Sequence, residues 1–363
     1  MMQVRLNIDD MRLEVEAGLT IMEAAQRAGI YIPALCSHPD LPPFNSGSGS
    51  QSVYQGSFRS EGSSDPYQGC QMCLVEIEED GIKTACDTLI QEGMTVRTNT
   101  PEINERRQEN LRKILSGHPH ACLVCPQKEG CDLKSCISNV PEKERCCAKF
   151  NVCELRKVAE YVGMMIDIPP YVPKGLPVMD DETLFKRDYN LCIGCTRCVR
   201  VCNEMQGVGA LTFTTVEGNL IVGTTEPTFK ASGCKFCGAC VEVCPTGALM
   251  DKAGKKKNRI RLQISAPIMP PDKRLTGFNT KNIKNIPKTE GVFQLFDADK
   301  KVICIKGAMN LFEEMSDKLR SVEKARYFVW EEDPMYTKRE SELLQQYMQE
   351  HGGVPEENAA ELD

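Results

Sequence analysis

An α+β chain built of several small domains is what the sequence predicts, on three observations. The opening residues alternate as strands, QVRLNI and MRLEVE about an Asp9-Asp10 turn, then switch to a helical segment that Thr20 caps and Gly29 ends. A hairpin followed by a helix suggests a β-grasp start. Further on, two similar cysteine blocks, CIGCTRCVRVCNE and CKFCGACVEVCPTG, flank a strand-like ALTFTTVEGNLIVGT and make an internal repeat. Between these regions lies a proline-rich connector, DIPPYVPKGLP, that reads as a domain boundary.

Composition limits the function classes. A length of 363 residues with 41% hydrophobic content suits two to four small globular domains. The start MMQVRLNIDD lacks a basic stretch followed by an apolar run, and no apolar stretch is long enough to span a bilayer. The expectation is a cytoplasmic protein without direct membrane insertion, any membrane association coming through partners. A net charge of -7 argues against nucleic-acid binding, which needs a basic face against phosphates. Twenty cysteines at short spacings in a reducing compartment point to metal ligands rather than disulfides.

The remaining elements follow in order. NSGSGSQSVYQGSFRSEGSSDPYQ reads as a flexible surface loop, ordering only against a neighbour, whose removal would leave metal sites intact. Thr100 and Pro101 open a helix that Gly117 stops, and CELRKVAEY reads as a short helix before the connector. Residues 251–290, with KKKNRIR, read as a basic linker or wrapping arm. The last unit has strands GVFQLFD and KVICIKG, then two helical stretches. The expected domains are therefore 1–100, 101–180, 181–250 and 291–363, the last a small α/β domain.

The repeat carries the most specific chemistry. Cys192, Cys195, Cys198, Cys202 and Cys234, Cys237, Cys240, Cys244 both follow C-x2-C-x2-C-x3-C. Three thiolates at this spacing grip three irons of a cubane while the fourth reaches across to the other cluster. Cys244 is thus assigned with Cys192, Cys195 and Cys198, and Cys202 with Cys234, Cys237 and Cys240. Zinc knuckles are the bland alternative, but zinc sites favour two well-separated C-x2-C pairs. The repeat resembles bacterial two-cluster ferredoxins, with Asn203 in place of the proline that Pro245 keeps in the second block.

Near the start, Cys36, a long gap, Cys70, Cys73 and Cys86 resemble the 2Fe-2S domain of plant-type ferredoxins and complex I-like subunits, including YIPALCSHPDLPPF around Cys36. The Ser/Gly-rich segment is then an insertion between the first two ligands, and free thiols are the alternative. SGHPHACLVCPQKEGCDL contains H-x3-C-x2-C-x5-C: His118, Cys122, Cys125 and Cys131. Between a 2Fe-2S domain and a cluster pair, this resembles the N-terminal region of the complex I G subunit, the diaphorase subunit of NAD-reducing hydrogenases, and iron-only hydrogenases. That resemblance implies a 4Fe-4S cluster held by the histidine and three cysteines, with His120 as the competing imidazole. The chain departs from the family in repeating C-x5-C-acidic-Leu, as CPQKEGCDL and CAKFNVCEL, so that Cys136, Cys146, Cys147 and Cys153 are surplus. They would complete eight ligands, enough for two 4Fe-4S clusters, or be structural or zinc-bound; spacing does not tell which thiol joins which cluster. The tally is one 2Fe-2S and three to four 4Fe-4S clusters, with Cys304 left over.

Cys304 lies in GVFQLFDADKKVICIKGAMNL, which together with ESELLQQY resembles the GIY-YIG nuclease domain of an excision-repair endonuclease. Glu340 matches the metal carboxylate, but Phe293 and Cys304 replace the two tyrosines, Lys306 a glycine and Glu314 the arginine. A phosphate-cleaving site without its hydroxyls and cation has little left to stabilise a transition state. A docking scaffold is expected instead.

These resemblances imply a non-catalytic electron-transfer subunit of an NAD-linked oxidoreductase complex of anaerobic metabolism. Its partners would be flavin-containing NADH-oxidising subunits and a terminal oxidoreductase: a formate dehydrogenase, a hydrogenase, a heterodisulfide reductase-like assembly or an acyl-CoA-linked reductase. No nucleotide fingerprint, nucleophile or catalytic base stands out in the chain. The alternatives are a metal-dependent nuclease or repair protein with structural clusters, and a stand-alone flavin oxidoreductase.

Overall fold

Strand alternation produces the first hairpin: β1 (Gln3–Ile8) buries Val4, Leu6 and Ile8 and pairs with β2 (Met11–Glu16) through Asp9, whose φ is 52°. Helix α1 (Ile21–Arg27) begins with a capping box, the Thr20 hydroxyl accepting from the Glu23 N–H while the Glu23 carboxylate accepts from the Thr20 N–H at 2.7 Å. It ends where Gly29 turns left-handed and the Ile30 N–H donates to the Ala25 carbonyl at 2.8 Å. This computed structural model describes all residues except 1, 44–48, 66–67, 126–130, 132–135, 137, 164–167, 181–183, 253–263, 272–274 and 361–363. The chain forms two units, residues 1–270 and 271–363.

In the first unit, β3 (Ser52–Gln55), β4 (Phe58–Glu61), β5 (Leu74–Ile77), β6 (Gly81–Thr84) and β7 (Thr95–Arg97) follow α1. A five-stranded sheet has the order β2-β1-β7-β5-β6, with β1 parallel to β7. Helix α2 (Pro101–Ser116) starts where the Thr100 hydroxyl accepts from the Ile103 N–H, and stops at Gly117. Helix α3 (Glu154–Val162) forms at the CELRKVAEY segment. Leu111 and Leu115 of α2 and Leu155 and Val158 of α3 share one core with Ile8, Ile21, Leu35 and Val96. Residues 101–162 therefore pack on the N-terminal sheet instead of building a core of their own.

The chain continues through β8 (Val178–Met179), β9 (Phe185–Asp188), α4 (Arg197–Arg200), β10 (Leu211–Val216), β11 (Asn219–Thr224), α5 (Ala239–Glu242) and β12 (Leu249–Asp251). Strands β12, β9 and β8 form one sheet, and β10-β11-β3-β4 another. The second corrects the expectation of a flexible loop. Within the Ser/Gly-rich segment, Gln55 pairs with Phe58 across a Gly56-Ser57 turn, and Tyr54 pairs with Thr224 of the repeat. Glycine first in a two-residue turn is a hairpin signal that outweighs the segment's polarity. Its residues 45–48 and 66–67 lie outside the described ones.

In the second unit, β13 (Thr276–Gly277), α6 (Thr280–Ile283), β14 (Gly291–Phe296), β15 (Val302–Ala308), α7 (Leu311–Ser321), β16 (Tyr327–Glu332), α8 (Tyr336–His351) and α9 (Glu356–Ala360) surround a sheet ordered β13-β16-β14-β15. All of β14 is buried because both faces are covered: Phe293 and Leu295 pack with Leu311 and Met315 of α7, and Val292 with Tyr347 of α8. The expected linker is only partly one, since Phe278, Ile283 and Ile286 belong to this core. Its KKKNRIR stretch lies outside the described residues.

Candidate metal centres

Cys36, Cys70, Cys73 and Cys86 are all buried, and the fold brings them together despite the insertion. Cys36 follows the extended segment after α1, Cys70 and Cys73 precede β5, and Cys86 follows β6. The Leu35 N–H donates to the Cys70 sulfur at 3.3 Å. Hydrogen bonds from the Cys70 and Cys86 thiols hold Cys36 well below the usual thiol range; those two donors are pushed up in turn, Cys86 also bonding to Cys73. The arrangement favours the thiolate of Cys36, the form that binds iron.

The repeat shows its internal symmetry in the backbone. Gly194 and Thr196 have φ of 69° and 56°, and the equivalent Phe236 and Gly238 have 52° and 79°. A threonine and a phenylalanine held in left-handed conformations carry strain of the kind found at functional sites. Each turn wraps its cysteines around a cavity. One is lined by Cys192, Cys195, Cys198 and Cys244, the other by Cys202, Cys234, Cys237 and Cys240. The last cysteine of each block thus lines the cavity of the other block. Burial raises Cys195, Cys198 and Cys240, Cys198 to about 12. Asn203 leaves a backbone N–H where proline has none, and the first block continues after α4 as a π-helical turn, Val201–Met205, carrying Cys202.

Around the opening motif, His118 is 4% exposed, and its Nδ1–H donates to the Pro119 carbonyl at 2.8 Å. Nε2 therefore carries the lone pair, and it is buried without a hydrogen-bond partner. Burial lowers the His118 pKa to about 4, keeping the imidazole neutral, as a ligand must be. His38 offers a contrast: its Nδ1 accepts from the Asp40 N–H, so its buried Nε2 bears a proton and is no donor to iron. His120 donates from Nδ1 to the His118 carbonyl.

Cys146 lies beside Cys122. The Cys146 N–H donates to the Cys122 sulfur at 3.2 Å, and the Cys146 thiol reaches the same Pro119 carbonyl as His118. The Cys146 hydrogen bond lowers Cys122 to about 6. Cys153, raised by burial to about 11, lies at 3.8 Å from the Pro245 carbonyl. Cys125 contacts Ser138 at 3.2 Å, and Cys136 accepts from the Val140 N–H at 3.3 Å. Cys131 is half-buried, while its neighbours 126–130 and 132–135 lie outside the described residues. Cys147 abuts Gly247, where a Cβ would lie 2.3 Å from its sulfur. Among the described residues, no three His, Cys, Asp or Glu side chains form a group that would hold a single metal ion.

Buried arginines escape the sequence reading, although CTRCVRVC places two of them inside a cysteine block. Arg200 donates to the Cys36 carbonyl at 3.0 Å, and Arg197 donates to both carboxylate oxygens of Glu154 at 3.0 and 2.8 Å. Cys36 and Cys195 both act electrostatically on these two guanidinium groups. Breaking one partner of a buried pair strands the other charge, so Glu154→Ala is expected to cost roughly 3–5 kcal/mol. Anaerobic chemical denaturation checks this.

In the second unit, Phe293 and Cys304 are fully buried, and Lys306 pairs with Glu314 at 3.3 Å. Glu340 lies beside Gly307. The GIY-YIG resemblance rests on sequence alone, and no comparison with known proteins supports a nuclease.

Residues 1–101 match the 2Fe-2S iron-sulfur cluster binding domain family, and residues 191–248 match the 4Fe-4S dicluster domain family. The chain is 34% identical over 257 residues to the NADH-quinone oxidoreductase G 2 subunit of Rhizobium meliloti, covering 70% of this chain and 25% of that protein. It is 30% identical over 258 residues to the NADPH-Fe(3+) oxidoreductase alpha subunit of Geobacter sulfurreducens, with the same 70% and 25% coverage. The chain thus spans a quarter of the length of these relatives. A solved NAD+-reducing [NiFe]-hydrogenase, in the H2-reduced state, shares the fold at a TM-score of 0.51 and 22% identity, over 69% of this chain and 88% of that one. The buried thiol groups and the two matched domains together make this an iron-sulfur protein with a 2Fe-2S and a 4Fe-4S dicluster domain, similar to the G subunit of NADH-quinone oxidoreductases.

Proposed function

We propose that the chain is an electron-transfer subunit, passing electrons between a flavin-containing NADH-oxidising partner and a terminal oxidoreductase. The observation that carries this reading is the contiguity of the cysteine groups. Cys36 and Cys195 both act on Arg197 and Arg200, Cys198 and Cys240 act on each other across the two cavities of the repeat, and Cys153 touches Pro245 beside Cys244. Clusters held there supply one-electron carriers. The protein's own part is to bury the ligands, exclude water and set the local charge.

In this reading Cys36, Cys70, Cys73 and Cys86 hold the 2Fe-2S cluster. Cys192, Cys195, Cys198 and Cys244 hold one 4Fe-4S cluster, and Cys202, Cys234, Cys237 and Cys240 a second. His118 and Cys122 act with Cys146 and Cys153 for a third. Cys125, Cys131 and Cys136 remain for a fourth, with Cys147 as the available donor. The relatives' names support NADH or NADPH as the source of electrons. A formate dehydrogenase, hydrogenase, heterodisulfide reductase-like assembly or acyl-CoA-linked reductase would be the other end. No helix among the described residues is long and apolar enough to cross a membrane, so membrane association would come through partners. The 271–363 unit is proposed as a docking scaffold.

Iron analysis tests the count. One 2Fe-2S and four 4Fe-4S clusters require about 18 iron atoms per anaerobically prepared chain. A reproducible plateau at about 14 removes the fourth 4Fe-4S cluster, and a zinc content replacing iron overturns the electron-transfer reading.

A further inference from the structure

Arg187 lies on β9, between Met179 of β8 and Leu249 of β12. It is 1% exposed, yet its Nε and Nη1 donors have no hydrogen-bond partner. Its guanidinium stacks over the Tyr189 ring at 4.5 Å, and no ion pair joins it to a carboxylate among the described residues. Burying a cation without an anion is among the most costly arrangements in a protein interior. The compensating charge must come from elsewhere. Arg187 lines the same cavity as Cys192, Cys195, Cys198 and Cys244, and it interacts electrostatically with Cys198, Cys192 and Cys240.

We infer that Arg187 is a positioning residue that donates hydrogen bonds to the 4Fe-4S cluster held by Cys192, Cys195, Cys198 and Cys244, and that its charge raises that cluster's reduction potential above that of its neighbour. The inference rests on the proposed cluster assignment. A fixed positive charge in a low-dielectric site favours the state with the added electron, and hydrogen bonds to cluster sulfur act in the same direction. Arg197 also has a buried Nε without a partner, but it does not duplicate the role, because its charge is already paired with Glu154 at 2.8 Å and its Nη1 also donates to the Val243 carbonyl at 3.3 Å. With Arg187 in place, an electron within the repeat rests in the first cavity rather than the second.

The test is a redox titration of the anaerobic holoprotein, followed by electron paramagnetic resonance, for wild type, Arg187→Lys and Arg187→Gln. Arg187→Gln is expected to lower the potential of that cluster by a tenfold change in the one-electron equilibrium, 59 mV. Arg187→Lys should fall less, since it keeps the charge and loses the fork of donors. The 2Fe-2S potential and the iron content should stay as in wild type. Unchanged potentials, or an equal shift of every cluster, overturn the inference. If both variants lose the cluster, pulsed resonance on wild-type holoprotein grown with 15N-arginine decides. A resolved nitrogen coupling to the reduced cluster supports the contact, and its absence overturns it. Failure of the cluster assignment itself is distinct, because wild type would then lack the iron and the signals.

Discussion

His118→Ala is expected to remove one 4Fe-4S cluster, about four iron atoms, while His120→Ala leaves the iron content unchanged. The difference lies in where the ring nitrogens point. The Nδ1–H of His118 is fixed on the Pro119 carbonyl, and the remaining lone pair on Nε2 is buried with nothing to accept. Leaving a buried polar atom unpaired costs about 1–3 kcal/mol, a penalty that coordination to iron would offset. The Pro119 carbonyl also receives the Cys146 thiol, which bonds to Cys122. Cys146→Ser should therefore affect the same cluster as His118→Ala, and the double variant should lose no more iron than either single one. His118→Cys should keep the cluster at a lower potential, since an added thiolate charge favours the oxidised state. Loss of the signal in His120→Ala but not in His118→Ala would move the ligand by two residues and overturn the assignment.

What was legible in the sequence depended on how local the determining physics is. C-x2-C-x2-C-x3-C encodes a tight wrap of backbone, and the left-handed residues at the matched positions Gly194 and Phe236, and Thr196 and Gly238, are that wrap made visible. Thr20, Gly29, Thr100 and Gly117 mark helix ends through bonds spanning a few residues, and their elements form where expected. The pairing of Cys122 with Cys146 is different. A fold, not a spacing, brings together thiols 24 positions apart. Arg187 is inconspicuous in the sequence because an arginine in a strand ordinarily faces solvent, and only the tertiary cavity makes it conspicuous. Strand β16 is not legible in YFVWEE, where three residues of alternating exposure precede the exposed Trp330, Glu331 and Glu332.

Deleting residues 50–63 is expected to destabilise the cysteine repeat and speed its loss of iron, the reverse of what a flexible loop would do. The glycines of this region are not there for mobility. A Cβ at Gly223 would lie 2.3 Å from the Tyr54 carbonyl oxygen, one at Gly62 2.3 Å from that of Thr215, and one at Gly49 2.6 Å from that of Phe213. All three mark close backbone approach between the insertion and the β10-β11 hairpin. The insertion buries Val53 completely and sends Gln55 to the Val222 carbonyl at 3.1 Å, directly behind the cavity that Cys192, Cys195, Cys198 and Cys244 line. Burying a valine side chain contributes about 1.5–3 kcal/mol, and overpacking one of these contacts costs about 1–3 kcal/mol. Gly223→Ala is accordingly a milder version of the deletion, lowering the anaerobic unfolding midpoint and hastening bleaching of the 4Fe-4S absorbance in air. The 2Fe-2S spectrum should change little in Gly223→Ala, since Cys36, Cys70, Cys73 and Cys86 lie in the other core of this unit. If the deleted chain keeps its full iron content and bleaches at the wild-type rate, the hairpin contributes nothing to the repeat, and an external partner becomes the better reason for its presence.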